Sequence, residues 1–458
     1  MAANNKHSTQ HWDSIDRISH MTDCNKNRRR FLKELATGAA VLTAGPTACS
    51  SADHGTQARV STVEDFAAVW RAAQTHTDRW QVVRDLFLLE PDYAYFNTGG
   101  LGPSPEPVVA AVDTAWRELE LRCETGHGRR AAVHEKAKDL FACNEDEIAF
   151  TRNATESMNM VARGLKLEAG DEIVMTTHEH PGGAIPWFAL REDVAITIRT
   201  FDPGSGGGDT IDRLRRVLNR HTRVVMVSHI TCTHGMVLPV QEIAALCRER
   251  GILCVVDGAQ AVGQIPVDLH GLGCDFYLAS GHKWLLGPKG TGLLYVRDEM
   301  LDNWKPSYVG AYSDSGFNLM EGRFARLRPA TASEYGTRNT PLLLGFGAAF
   351  DLLNTIGATM FMSRGWSLAQ RLRDQLAEIE GVRIVTPDAE GASASILAFE
   401  LPASGGNPWD WCNLLRRDHG MRLRPVAEGG ITAVRASTHV CNNEEEIDEF
   451  AAVLAAVV

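Results

Sequence analysis

Although it has ten cysteines, the 458-residue sequence contains no CxxC pair and no cysteine spacing suited to a metal. That excludes a zinc module and gives no sign of a disulfide framework. Residues 24, 49, 123, 143, 232, 247, 254, 274, 412 and 441 are isolated cysteines, and Cys254 and Cys274, in or beside apolar runs, read as small buried hydrophobes. A lysine and arginine stripe is also missing. With a net charge of -11 and a pI near 5.8, the chain has little with which to grip a phosphate backbone, so nucleic acid is not an expected partner. There is no internal repeat, no long low-complexity tract, and no run of the roughly 20 apolar residues that a membrane span needs. What remains is an ordinary globular composition, 44% hydrophobic and 22% charged, long enough for one large domain and a smaller one.

The front of the chain reads as an address. Asn27-Arg28-Arg29-Arg30-Phe31-Leu32-Lys33 precedes an Ala/Gly-rich run from Leu35 to Ala44, and this resembles a twin-arginine export signal. The segment before Arg28 is long for such a signal, and initiation at Met21 would shorten it. Cys49 follows Pro46-Thr47-Ala48, which lacks the leucine of a lipoprotein cleavage box, so lipidation stays open. The expectation is export, to a periplasmic location, through the twin-arginine machinery, which carries folded proteins. The alternative is a cytoplasmic enzyme with a basic tail.

Residues 1–58 are thus signal and linker, and helical patterns run from Val63 to Leu89. From Tyr93 onward, short apolar runs at Glu147 to Thr151, Glu172 to Thr176, Val194 to Phe201, Arg223 to His229, Gly251 to Asp257 and Phe276 to Ala279 alternate with helical stretches. This predicts an α/β fold whose parallel strands are covered by helices on both faces, with ligands gathering at the strand C-termini. We place a large domain at 59–345, with N-terminal helices that can join the smaller domain, and the small domain at 346–458.

The chemistry-bearing residues fall at those strand ends. Ser280-Gly281-His282-Lys283-Trp284 follows one strand, and a lysine there is poised to form an imine with an aldehyde cofactor. The bland alternative is a lysine in a glycine-rich loop. Asp257, in Val256-Asp257-Gly258-Ala259-Gln260, ends the preceding strand; a carboxylate there would keep a cofactor pyridine nitrogen protonated, or else would cap a helix. Ala154-Thr155-Glu156 opens a helix, giving donors for a phosphate or simply an N-cap, and Ser280 and His282 add further donors. His180, in Glu179-His180-Pro181, offers a flat ring that can stack on a cofactor.

These motifs, with Gly336-Thr337-Arg338-Asn339, resemble the class V aminotransferase family of fold-type I pyridoxal-phosphate enzymes from about residue 91 to the end. The resemblance implies a mainly parallel seven-stranded sheet flanked by helices and a smaller α+β C-terminal domain. It implies that Lys283 carries pyridoxal 5'-phosphate as a Schiff base, Asp257 pairs with the pyridine nitrogen, Gln260 contacts the ring hydroxyl and His180 stacks on the ring. Ala154, Thr155, Ser280 and His282 would hold the phosphate, and Thr337 would reach the phosphate of a neighbouring subunit in a homodimer. Arg435 would bind the substrate carboxylate, and Asn97 would line the substrate mouth. No metal is implied.

The wording of Val227-Ser228-His229-Ile230-Thr231, His282 to Pro288 and Tyr308 to Tyr312 is most similar to the isopenicillin N epimerase-like branch. The implied substrate is a small molecule, an amino acid or an amino-acid derivative, with transamination and carbon-sulfur lysis as alternatives. Desulfurases of this family carry a cysteine shortly before the carboxylate-binding arginine, whereas Met421 to Val434 contains none, so the persulfide route is disfavoured. For a second proton-transfer group, His178, Cys232 and Tyr335 are candidates. An inactive exported binding protein is the contrasting class, and the presence of both Lys283 and Asp257 speaks against it.

Overall fold

Apolar runs separated by helices become one central sheet in the computed structural model of the protein, which describes residues 60–389 and 391–458. The expected twin-arginine segment and Cys49 lie outside the described residues. Seven strands form the sheet: β1 Ile148–Thr151, β2 Glu172–Thr176, β3 Thr197–Phe201, β4 Thr222–Ser228, β5 Leu253–Asp257, β6 Phe276–Ser280 and β7 Gly292–Val296. Their order is β1-β7-β6-β5-β4-β2-β3, parallel except for β7, which runs antiparallel to both neighbours.

All strands but the edge strand β3 are buried on both faces, which explains why they read as continuous apolar runs. Along β4, Val225 and Val227 enter one hydrophobic core and Val224 and Met226 the other; Cys254 and Val256 of β5 likewise oppose Val255. Cys254 and Cys274 are buried as expected, and all eight cysteines among the described residues are free thiols.

Three elements depart from the sequence reading. The run Val194 to Phe201 is split, because Val194 closes a helix and Ala195 turns the chain in the left-handed region at φ 57° before β3 begins at Thr197. That helix, Pro181–Val194, holds Pro181, Gly182, Gly183 and Pro186 within its first turns, a poor helical composition. Tertiary contact overrides propensity here: Pro181 sits at the first position, where its missing N–H costs nothing, and a Cβ on Gly183 would lie 3.1 Å from Asp257 Oδ2. The short antiparallel β7 was not among the apolar runs read from the sequence.

Beyond the sheet, an exposed hairpin pairs β8 Asp314–Asn318 with β9 Arg323–Arg326. A four-stranded antiparallel sheet follows in the order β10-β11-β13-β12, from Arg383–Ile384, Ile396–Glu400, Arg424–Val426 and Ala433–Ser437. Helix Thr340–Ile356 spans residue 346, where the sequence reading divides the domains, and packs on helix Glu106–Glu120 of the large layer. Phe66, Trp70, Trp80 and Val83 of the N-terminal helices join the main core, while Arg84 pairs with Glu446 at 2.6 Å. Among the described residues no single helix is long and apolar enough to cross a membrane.

Phe346 links this packing to the lysine loop. Fully buried, it packs against Phe350 with ring centroids 4.4 Å apart and edge-on to Phe150 at 5.8 Å, and it lies so close to Gly281 and Gly287 that a Cβ on either would come within 2.7 Å of its ring. Phe346→Ala is expected to destabilise the protein by about 3–5 kcal/mol, read as a lower denaturant midpoint with an unchanged slope. A loss below about 1 kcal/mol would show that this contact does not organise the loop.

Candidate active site

The parallel strands align their C-terminal residues along one edge. Ser228 pairs in register with Asp257, and Asp257 with Leu278, two residues before Ser280. Lys283 follows in a tight loop closed by Gly287 N–H donating to the Gly281 carbonyl at 2.9 Å. Leu286 holds φ 58°, a costly conformation for a branched side chain, and its burial keeps it there. His439 Nε2 meets the Trp284 carbonyl at 2.8 Å, and Gly102 N–H donates to His282 O at 2.8 Å, so the loop is fixed from two sides.

These elements enclose a cavity of about 300 Å³. Of the residues singled out in the sequence, Ala154, Thr155, His180, Asp257, Gln260, Ser280, His282, Lys283 and Arg435 all line it. Asn97 does not. It is buried behind Arg435, where its Oδ1 accepts from Nη2 at 3.2 Å, so it positions the guanidinium rather than forming the mouth. Thr337 is exposed and outside the cavity.

Each wall has a local cause. Asn153 caps the helix Ala154–Gly164 by accepting from Glu156 N–H at 2.8 Å, and Ala154 N–H donates to Ser280 Oγ at 3.3 Å, which joins the helix start to the end of β6. His180 caps the next helix, its Nδ1 accepting from Gly182 N–H at 3.0 Å, so the proton of the neutral ring sits on Nε2. Burial, with Lys283, Arg424 and Arg435 nearby, pushes His180 down to about 4 and keeps it neutral. His282 Nδ1 faces the Thr291 carbonyl at 3.0 Å, so a neutral ring has no proton left on Nε2, and burial lowers its pKa. It donates to a phosphate from Nε2 only when protonated. Gln260 is engaged at both ends, Nε2 with Gly99 O and Oε1 with Trp284 Nε1, each at 2.8 Å.

Charge at the centre is opposed by burial. Desolvation raises Asp257, while Lys283 and the Ala259 N–H at 2.9 Å from Oδ1 pull it down. Lys283 is lowered by desolvation and sustained by Asp257. Arg435 is buried, pushed down to about 10, and donates from Nη1 to the Cys232 carbonyl at 2.6 Å. Its Nε is shielded from solvent and has no partner among the described residues.

Pyridoxal phosphate fits this arrangement. An aspartate with one oxygen held by backbone and the other facing a glycine suits a pyridinium partner, and a helix start beside Ser280 suits a phosphate. Bare glycine backbone leaves room on two sides: a Cβ on Gly182 would lie 2.4 Å from Thr155 Oγ1, and one on Gly99 would lie 3.1 Å from both Arg435 Nη2 and Gln260 Oε1. Among the described residues there is no group of His, Cys, Asp and Glu that would hold a metal.

Gly99, Gly100, Asn153, Gly182, Ser228, Ile230 and Arg424 also line the cavity, and the sequence reading had not singled them out for the site. Arg424 is the consequential one. Met421-Arg422-Leu423-Arg424 offers two arginines, and no local signal says which of them faces inward.

The aminotransferase class-V family model matches residues 120–450. A probable cysteine desulfurase of Methanothermobacter thermautotrophicus is 31% identical over 393 residues, covering 80% of this chain and 94% of the relative. Isopenicillin N epimerase of Amycolatopsis lactamdurans is 29% identical over 397 residues, covering 82% and 98%. Among solved structures, the cystine C-S lyase C-DES, as a mutant with glycine covalently linked to its PLP cofactor, aligns with a TM-score of 0.75 at 27% identity, covering 81% of this chain and 98% of that one.

Proposed function

The chain belongs to the aminotransferase class-V family and is a pyridoxal-phosphate enzyme, and we propose that it acts at the α carbon of an amino acid or amino-acid derivative in the manner of isopenicillin N epimerase. The observation that carries this reading is the convergence of Lys283, Asp257, His180 and Arg435 on one cavity. Bound there, pyridoxal phosphate supplies an electron sink for bonds to the α carbon.

The residues divide the remaining work. Asp257 would pair with the pyridine nitrogen and His180 would cover the ring. The Ala154 and Thr155 backbone, with Ser280, would hold the phosphate, and His282 would join them when protonated. Arg435 would fix the substrate carboxylate, steadied by Asn97 and the Cys232 carbonyl. Lys283 would carry the cofactor and move the α proton, and its lowered pKa makes the free amine easier to reach.

Epimerisation needs a second proton carrier. Of His178, Cys232 and Tyr335, only Cys232 lines the cavity; His178 Nδ1 is spent on Thr233 Oγ1 at 3.1 Å, and Tyr335 packs on Tyr308. Burial pushes the Cys232 thiol up to about 11, so it is a proton donor rather than a thiolate nucleophile. The same fact counts against persulfide chemistry at this cysteine. A direct carbon-sulfur lyase, which needs Lys283 but no cysteine, is the second reading, supported by the likeness to C-DES. The proposal includes a homodimer, to which the exposed Thr337 would contribute, and export through Arg28 and Arg29. Sedimentation and a reporter fusion that loses export when both arginines become lysine test these parts.

The central test is an absorption spectrum before and after borohydride reduction, followed by peptide mapping. A visible band that reduction removes, with the label on Lys283, is the expected result. Amino acids are then screened for loss of optical activity, oxo-acid formation and sulfide release. No band after adding pyridoxal phosphate, or a label on another residue, would sink the proposal.

A further inference from the structure

Two guanidinium groups face the cavity, where a single α-carboxylate needs one. Arg424 of β12 and Arg435 of β13 are paired in register, and residues directly opposite on antiparallel strands project from the same face. Both line the cavity, and Arg424 is the second cause, after burial, of the lowered Arg435 pKa. Placing two like charges side by side in a shielded site is unfavourable unless anions arrive to meet them.

The two arginines are held differently. Arg435 is built in by Cys232 and Asn97, from the end of β4 and from the chain before the large layer. For Arg424 the contact is with Glu428, four residues on, through Nη2 at 2.5 Å. The other halves of this ion pair, Arg424 Nη1 and Glu428 Oε2, are shielded from solvent and have no partner among the described residues. Arg424 therefore lines the cavity with one of its two terminal nitrogens unpaired. Glu428 stands immediately before Gly429 and Gly430, at φ 62° and 78°, in the turn that leads to β13. This is the stretch whose lack of cysteine disfavours the persulfide route, and an arginine and a glutamate occupy it instead.

We propose that Arg424 is the specificity residue of this site and binds a second acidic group at the far end of the substrate side chain, with Glu428 as the internal carboxylate which that group replaces. The substrate class is then an acidic amino acid or an amino-acid derivative with two carboxylates. The inference rests on the reading of the cavity as an amino-acid site. A merely structural Arg424, bracing the turn through Glu428, would affect acidic and neutral substrates alike.

The test uses the pyridoxal-phosphate holoenzyme, titrated with glutamate against glutamine and with 2-aminoadipate against norleucine, following the cofactor absorbance. The acidic member of each pair is expected to bind about 10- to 100-fold tighter. Arg424→Gln should bring that ratio below about 3-fold, and Arg424→Lys should leave an intermediate ratio. Glu428→Gln should raise it, since the competing charge is gone, and Arg435→Gln should weaken both members together. Retention of the cofactor band shows that each variant is folded. A wild-type ratio near one, or an Arg424→Gln variant that weakens both members equally, overturns the assignment of Arg424 while leaving the amino-acid reading intact. No response to any of the four amino acids overturns that reading, and this inference with it.

Discussion

Replacing Lys283 with alanine is expected to lower turnover on the order of 10^4-fold and to leave any bound cofactor resistant to borohydride labelling of the protein. The size of the effect follows from two roles in one side chain, since the amine would both anchor the cofactor and carry the substrate proton. No other lysine lines the cavity to take over either role. Fold loss is not the expected route. Lys283 borders the cavity, and among the described residues its ammonium makes no hydrogen bond or ion pair that the core would miss. Thermal unfolding of the cofactor-free variant should therefore match that of the cofactor-free parent, while the kinetic assay and mass mapping both change. Turnover within tenfold of the parent would remove Lys283 from the chemistry.

Asp257→Asn is the second large effect, expected at about 10^2- to 10^3-fold in kcat with little change in KM. The amide keeps the shape and, through its own Oδ1, the 2.9 Å bond from Ala259 N–H. What it loses is the negative charge that would hold a pyridinium proton. The stability consequence has the opposite sign. Burial raises the Asp257 pKa because the charged form is poorly solvated there, so neutralising it is expected to leave the cofactor-free protein as stable as the parent or more so. A pure helix-cap role would give the reverse pattern, with stability lost and kcat untouched. Paired denaturation and steady-state measurements on one preparation separate these outcomes.

The ends of the parallel strands were legible because both causes are local. A strand buried on both faces must be apolar along its whole length, as Val255-Val256 is, and the first polar residue, Asp257, then marks where it leaves the core. The motifs at those ends carry unusual residue types at short spacing, which is why Lys283, Asp257, His180 and Thr155 were found together. The helix from Pro181 to Val194 was not legible, since the prolines and glycines of its first turns are poor helix formers. Only the neighbouring Asp257 carboxylate and Thr155 hydroxyl explain why glycine is needed there. Asn97 shows the same limit, for its position in the sequence suggested the mouth of the site and its actual partner is a guanidinium 338 residues away in the chain.

By itself, then, the sequence determined the α/β class, the sheet edge on which chemistry gathers, and the lysine and aspartate that line the cavity there, because these depend on hydrophobic pattern and on residues close together in the chain. Which of two arginines in Met421-Arg422-Leu423-Arg424 enters the cavity was decided only by the pairing of β12 with β13. A shift of one residue in that register would turn Arg424 outward and its neighbours Leu423 and Pro425 inward, and register is set by contacts between segments distant in sequence. Substrate choice, unlike the shared cofactor machinery, depends on that non-local fact.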